Sequence, residues 1–216
     1  MKDKPSEWIA ISDLMAGVVA VVMLLLVMSV LQKTAAEKRM AELEQASDPQ
    51  QQKLNMIMGQ LHASLSDTIN GDMITVDTGT RKITLRDGVF NRGSACVVDI
   101  AHPALSNVQA QLIAFLESVP DGRVYVEGHT DDRPVSRPVT DYARFCTVYD
   151  DNYTLSAARA RETRKVLADN LQSSDSKRIV VAGFGDSQPL EGIPPEDARQ
   201  RRVEIRLVIA ERTDHS

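Results

Sequence analysis

Several features that point to common biochemical functions are scarce in this chain. Aromatic residues make up only 4% of the sequence, and the net charge is −5. No tract rich in lysine or arginine occurs, so we expect no nucleic-acid partner, which would require a basic surface. Ser156 has no evident base beside it, and the histidines lack metal-ligand spacing. We therefore expect neither a metal site, nor a cofactor, nor enzymatic activity. The histidines are His62, His102, His129 and His215.

One segment is strongly apolar. Residues 9–31 read IAISDLMAGVVAVVMLLLVMSVL, with Asp13 as the single charged residue. As a helix this run extends roughly 34 Å, enough to cross the ~30 Å hydrocarbon core of a bilayer. A cleaved signal peptide is the alternative, since Thr34-Ala35-Ala36 is a weak cleavage pattern, but residues 1–8 are not clearly basic. We therefore predict a retained transmembrane helix after a short tail. Basic residues on both sides leave its orientation open.

Residues 32–70 are predicted to form a helical stalk or linker, because Ala, Glu, Lys and Gln are abundant there. Ser47-Asp48-Pro49 is typical of a helix start, with a capping side chain followed by proline at the first helical position. The following helix places an apolar stripe on one face. Two interpretations stay open: the stripe packs on its own domain, or it pairs with a second copy of the chain. Its residues are Leu54, Ile57, Met58, Leu61 and Leu65.

From residue 72 onward the spacing of the apolar residues changes. MITVD and KITLR alternate like two strands joined by a turn at Thr78-Gly79. Amphipathic helices are expected at 104–119 and 154–170, and further strands at RVYVEG, RIVVAGFG and RRVEIRLVI. This order predicts an α+β fold of two layers, with helices on one face of a mixed sheet, over residues 71–210 and a tail at 211–216.

A long loop from Asp132 to Asp151 joins a predicted strand to a predicted helix. Such connections are usually short, and long ones are often functional. We therefore expect this loop to take part in the function of the domain.

Five motifs resemble the OmpA/MotB-like C-terminal domain in both order and spacing. The resemblance covers residues 72–209 and implies binding to peptidoglycan, through the carboxylate and amine of the diamino acid in its stem peptide. The motifs are VFNRGSA at 89–95, VEGHTDD at 126–132, NYTLSAARA at 152–160, GFGDSQP at 183–189 and RQRRVEIRL at 199–207.

The resemblance implies a set of peptidoglycan-binding residues. Asp131 matches the acid that takes the ligand ammonium, and Arg159 matches the base that grips the carboxylate in a bidentate fork. An internal Asp131–Arg159 salt bridge that only braces the fold is the alternative. Asn91 and Arg92 stand where many relatives carry an acidic residue, so we expect local contacts there to differ. The other matching positions around the pocket are Thr130, Asn152, Leu155 and Arg202.

Peptidoglycan lies outside the inner membrane, so the resemblance implies a periplasmic C-terminal domain and a cytoplasmic N-terminus. The two cysteines agree with this location, because Cys96 and Cys146 can form a disulfide in an oxidising compartment and pin the long loop. Two free buried thiols are the alternative, since the sequence does not show whether the α-carbons lie within bridging distance.

Asp13 is the second informative residue, because a carboxylate inside a bilayer is costly unless it is protonated, paired or hydrated. The residues alone allow either a helix cap at the headgroups or an ion site. The run WIAISDLMAGVVAVVMLLLV resembles the single helix of the MotB/ExbD/TolR motor subunits, two of which sit inside a pentamer of a multi-helix partner. That resemblance implies an ion-translocating Asp13, which suits a proton, a homodimer, and a MotA- or ZorA-like pentameric partner.

The short tail and compact stalk resemble ZorB, the stator-like subunit of the Zorya anti-phage defence system. The expected function is therefore that of a peptidoglycan-anchored subunit of an ion-driven inner-membrane motor. A flagellar MotB-type stator and a passive OmpA-like wall tether without ion transport stay open as alternatives.

Overall fold

The computed structural model describes residues 7–47, 49–66 and 73–210, and for parts of the first helix it describes the backbone alone. Asp13 has a helical backbone, whereas its side chain lies outside the described residues, as do the predicted tail at 211–216 and residues 1–6. The chain divides into two compact units, residues 1–48 and residues 49–216.

The first unit contains helix α1, Glu7–Ser47, which is 41 residues long. Its stretch Leu14–Ala35 has a mean hydropathy of 2.9, and none of it is buried. A core helix of a soluble protein would bury at least one face, whereas side chains all round this stretch are exposed. At about 1.5 Å per residue the stretch extends roughly 33 Å, so it has the length and composition to cross a bilayer. The chain thus fits a single-pass membrane protein.

The second unit combines helices with one sheet. Its strands lie in the order β1-β2-β5-β3-β4, in which β3 and β4 are parallel and the other neighbours are antiparallel. The predicted α+β fold with a mixed sheet is therefore confirmed. The strands are β1 Ile74–Asp77, β2 Lys82–Arg86, β3 Gly122–His129, β4 Ile179–Gly183 and β5 Arg202–Ile209. The helices are α2 Pro49–Ser66, α3 His102–Ser118, α4 Tyr142–Phe145, α5 Asn152–Ala168 and α6 Ser173–Ser176.

Helix α2 packs against α3 and β1. It begins at Pro49, as the capping pattern predicts, and all five residues of its apolar stripe are buried in the core of the second unit. Leu54 and Met58 are fully buried, whereas Met56, on another face of the helix, is 62% exposed. Of the two interpretations of the stripe, packing on its own domain is the one that the structure shows.

Alternation along the strands separates an apolar from a polar face of the sheet. Val124 and Val126 of β3 lie beside Leu207 and Ile205 of β5, and all four join the hydrophobic core with α2, α3 and α5. Tyr125, between the two valines, is only partly buried and points to the other face.

Helix α5 lies directly on β3 and β4 because two glycines meet it. A Cβ on Gly128 would lie 2.0 Å from the carbonyl oxygen of Ser156, and a Cβ on Gly183 would lie 2.6 Å from Ala157. Any larger residue at either position would push the helix away from the sheet. This close packing brings the first turns of α5 to the C-terminal end of β3, where the predicted binding residues lie.

Candidate functional site

A cleft of about 360 Å³ opens at the C-terminal end of β3. Asp131 lines it from the segment after β3, and Asn152, Leu155 and Arg159 line it from α5. Arg201, immediately before β5, completes the base. The rest of the wall comes from the turn after β2 and from two loops, with Asp87, Arg92, Arg133, Arg137 and Tyr149 among the lining residues.

Arg201 bridges two carboxylates in this cleft. Its Nη1 donates to Oδ2 of Asp131 at 2.7 Å, and its Nη2 donates to Oδ2 of Asp87 at 2.8 Å. The hydrogen bond to Asp87, and then that to Asp131, raise the pKa of Arg201 above its ordinary value. The side chain of Arg201 is 26% exposed, so a ligand can reach the bridge from solvent.

Arg159 is nearly inaccessible, with 2% of its surface exposed. Its Nε donates to the carbonyl oxygen of Ser94 at 3.0 Å, and its Nη1 lies 3.6 Å from Oδ1 of Asp87 without a hydrogen-bond partner among the described residues. Burial lowers the pKa of Arg159 and the charge of Asp87 opposes this shift, but a guanidinium remains protonated in proteins. A buried cation with an unused N–H is a strong site for a carboxylate.

The direct Asp131–Arg159 salt bridge, considered above as an alternative to ligand binding, is not formed. Asp131 pairs with Arg201 instead, and Arg159 faces Asp87. The base of the cleft therefore holds two acids and two bases in an alternating arrangement.

Among the other predicted binding residues, Asn152 and Leu155 line the cleft and Thr130 does not. Nδ2 of Asn152 donates to the backbone carbonyls of Asp131 and Arg133, at 3.2 and 3.0 Å, which ties the start of α5 to the segment after β3. Leu155 is 8% exposed and forms part of the cleft wall. Thr130 is buried and does not line the cleft; its backbone N–H donates to the carbonyl of Gly185.

Arg202 does not line the cleft, contrary to the expectation from the motif. Its Nε donates to Glu204 at 2.6 Å and its Nη groups donate to the backbone carbonyls of Gln200 and Gln188. The physical reason is strand alternation: neighbouring residues at the start of β5 point to opposite faces, so Arg201 reaches the cleft and Arg202 does not.

Asp87 and Arg201 are cleft residues that the motif comparison missed. Strands β2 and β5 are antiparallel with Arg86 opposite Arg202, so the next pair outward places Asp87 opposite Arg201. The sequence places an acid, Asp87, directly after β2 and a base, Arg201, directly before β5. Their proximity can be predicted only when the pairing of these two strands is known.

A disulfide between Cys96 and Cys146 joins two walls of the cleft, with a Cα–Cα distance of 5.1 Å. Beside it, the hydroxyl of Ser94 and the backbone N–H of Ala95 both donate to the carbonyl of Phe145 at 3.0 Å. The structure therefore has the bridged pair rather than two free thiols, and the bridge pins the long loop 132–151 to the turn that carries Ser94.

Two residues with catalytic potential have structural contacts instead. Oγ of Ser156 accepts from the backbone N–H of Gly185 and donates to the carbonyl of Tyr153. His129 is buried and stacks on Phe184, with ring centroids 5.4 Å apart. No group of three histidine, cysteine, aspartate or glutamate residues suited to a metal ion occurs in the part of the chain that the structure describes.

Comparison with known proteins places these features in a family. The model of the OmpA family matches residues 89–202. YtxE from Bacillus subtilis is 31% identical over 126 residues, covering 57% of this chain and 46% of YtxE. The truncated flagellar export/assembly protein LafU from Escherichia coli is 26% identical over 148 residues, covering 67% of this chain and 63% of LafU. The chain thus spans less than two thirds of either relative.

Solved structures agree with this match. The cell wall anchor of the T6SS from Pseudomonas aeruginosa is 31% identical and has a TM-score of 0.51; the match covers 70% of this chain and 97% of the anchor's chain. A MotB-like protein from Desulfovibrio vulgaris is 21% identical, covers 74% of this chain with 94% of its own, has a TM-score of 0.52, and shows the shared fold. Through the matched residues 89–202, which contain most of the cleft, the chain belongs to the OmpA family.

Proposed function

We propose that this chain is a membrane-anchored protein whose cleft binds the diamino acid of peptidoglycan stem peptides. The observation that carries the proposal is the buried Arg159, whose Nη1 lacks a hydrogen-bond partner among the described residues at the wall of a solvent-open cleft. A ligand carboxylate at this nitrogen supplies the missing acceptor, and Asp131 provides an acid for the ligand ammonium.

The neighbouring charges support a zwitterionic ligand. Asp87 and Asp131 balance Arg159 and Arg201, so the base of the cleft has no excess of either sign. A ligand that brings one carboxylate and one ammonium preserves this balance, whereas a simple cation or anion leaves one charge uncompensated in a poorly hydrated place. The 31% identical relative described as a cell wall anchor supports the same function.

Binding of the full chain, in detergent, to purified peptidoglycan tests this proposal. Asp131→Asn keeps the shape and removes the charge, and we expect it to weaken binding about tenfold or more, because a hydrogen bond to a charged group contributes roughly 1.5–3 kcal/mol. Asp132→Asn is the matched control, since Asp132 is the next residue, is exposed and does not line the cleft. Equal binding by a folded Asp131→Asn variant and the unsubstituted chain rejects the proposal.

A narrower proposal concerns the membrane segment. Asp13 is the only charged residue of the apolar run 9–31, and a carboxylate there costs several kcal/mol unless it is protonated, paired or hydrated. Together with the resemblance of this helix to motor subunits, the sequence supports a proton-carrying role for Asp13. The chain would then act as a homodimer inside a pentameric MotA- or ZorA-like inner-membrane partner, with a cytoplasmic N-terminus and a periplasmic domain.

Within that class, the resemblance to ZorB favours a component of an anti-phage defence complex over a flagellar stator. Asp13→Asn, co-expressed with the native partner, separates the candidates when phage protection and motility are both scored at equal protein abundance. Loss of protection supports the defence motor, and loss of motility alone supports the flagellar stator. If the variant changes neither, while deletion of the gene does, the motor proposal fails and a passive wall tether is the better account. Glu37→Gln, beyond the apolar run, is the control.

A further inference from the structure

Three exposed arginines stand around the mouth of the cleft. Arg92 comes from the turn after β2, and Arg133 and Arg137 come from the long loop after β3. Among the side chains that the structure describes, no acidic group forms a salt bridge with any of the three. We call these three residues the arginine rim.

The rim gives the cleft an excess of positive charge. Five arginines line the cleft against two aspartates, whereas the whole chain has a net charge of −5. Because the two aspartates are already balanced by Arg159 and Arg201, the excess belongs entirely to the rim. Like charges in one cleft repel each other, so a ligand with additional negative charge relieves this repulsion.

Resting on the proposed function, we infer that the arginine rim recognises a further free carboxylate on the stem peptide. The ligand class is then a peptide in which a residue next to the diamino acid keeps its carboxylate as the free acid, and the amidated form binds less well. Arginine suits this task because its planar guanidinium donates two parallel hydrogen bonds to one carboxylate.

The rim is held in place by the same contacts that shape the cleft. Asn152 donates to the backbone carbonyl of Arg133 at 3.0 Å, which fixes the start of the loop. The disulfide between Cys96 and Cys146 joins the far end of that loop to the segment that follows Arg92. The two sources of rim arginines are therefore linked covalently, so their spacing is restricted before a ligand arrives.

The size of the effect follows from exposed ion pairs, which are each worth about 0.2–1 kcal/mol. Loss of one rim arginine should therefore weaken binding of the free-acid peptide about 1.4- to fivefold. The unsubstituted chain should bind the free acid several-fold more tightly than the amide, and added salt should reduce this preference because the rim is exposed.

The test compares two synthetic peptides that contain the diamino acid and differ only in whether the neighbouring carboxylate is free or amidated. Dissociation constants are measured by calorimetry for the full chain in detergent, and for Arg92→Gln, Arg137→Gln and the double variant. Arg123→Gln is the matched control, because Arg123 is exposed on β3 and does not line the cleft. Thermal unfolding verifies that each variant is folded.

Preferential weakening of the free-acid peptide in the rim variants, with the control unchanged, supports the inference. Equal binding of the two peptides by the unsubstituted chain overturns it, as does equal weakening of both peptides in the rim variants. Competition by inorganic phosphate as effective as that of the free-acid peptide overturns it as well, since the rim would then be a general anion site. Failure of both peptides to bind any folded variant instead rejects the proposed function.

Discussion

Removal of the disulfide between Cys96 and Cys146 should destabilise the second unit by a calculable amount. The two cysteines are 50 residues apart in sequence. For a loop of that length, the chain-entropy relation gives a stabilisation of about 4 kcal/mol at room temperature, because the bridge restricts the unfolded chain. A double Cys96→Ala, Cys146→Ala variant should therefore lose up to about 4 kcal/mol of its free energy of unfolding.

The native contacts around the bridge limit the damage to the folded state. Ser94 and Ala95 still donate to the carbonyl of Phe145, and the hydroxyl of Tyr149 still donates to the carbonyl of Gly93 at 2.6 Å. We therefore expect the double variant to fold, with the walls of the cleft less firmly joined and with weaker binding to peptidoglycan.

The assay is denaturant unfolding of the full chain in detergent, followed by the near-ultraviolet circular dichroism of the tyrosines. Reduction of the disulfide in the unsubstituted chain removes the bridge independently, and it should lower the free energy of unfolding by the same amount as the double variant does. If the free energy of unfolding falls by less than about 1 kcal/mol in both the double variant and the reduced chain, the reasoning that the bridge stabilises by restricting the unfolded chain is refuted.

Three further predictions concern the core. Burial lowers the pKa of His129 from 6.5 to about 4, so between these pH values the unfolded chain binds a proton at this residue and the native chain does not. The free energy of unfolding should therefore fall by on the order of 2–3 kcal/mol as the pH drops from about 6.5 to 4. The variant His129→Gln should show a weaker dependence of this free energy on pH. Gly128→Ala should prevent folding, because its Cβ would lie 2.0 Å from a backbone oxygen. Gly59→Ala adds a Cβ that has no neighbouring atom within 4 Å, so it should stabilise helix α2 by about 0.5–1 kcal/mol, measured by thermal unfolding. Leu61→Ala should cost about 2–5 kcal/mol in denaturant unfolding and Met56→Ala almost nothing, and the reverse order would contradict the packing of α2 on its own domain.

The sequence predicts the strands and long helices well because their apolar spacing is strong. Strand β3 alternates buried Val124 and Val126 with more polar neighbours, and α5 begins with an aspartate cap, in which Oδ1 of Asp151 accepts from the N–H of Thr154. Helix α4 was not predicted, since Tyr142–Phe145 is too short to show any period. Only the cap at Asp141, which accepts from the N–H of Arg144, marks it.

The cleft was partly predictable, and the differences at Arg201 and Arg202 have two physical causes. Asp131 follows β3 and Arg159 lies within α5, both inside motifs that the sequence identifies, and the structure brings both to the cleft. Arg202, which the motif match places near the pocket, lies outside the cleft because a shift of one residue along a strand changes the face to which a side chain points. The role of Arg201 depends on the pairing of β2 with β5, which connects distant parts of the sequence and leaves no local pattern.

The bridge that Arg201 makes between Asp87 and Asp131 limits how tightly a single cleft can bind peptidoglycan in the proposed binding mode. In the free protein both carboxylates already pair with Arg201, so in the proposed binding mode the ligand ammonium exchanges with Arg201 as a partner of Asp131, and part of the free energy of the new contact is offset. Such exchange favours modest affinity and rapid release at each cleft. Durable attachment to a polymer of repeating stem peptides then depends on how many clefts are presented together, because simultaneous engagement multiplies weak affinities.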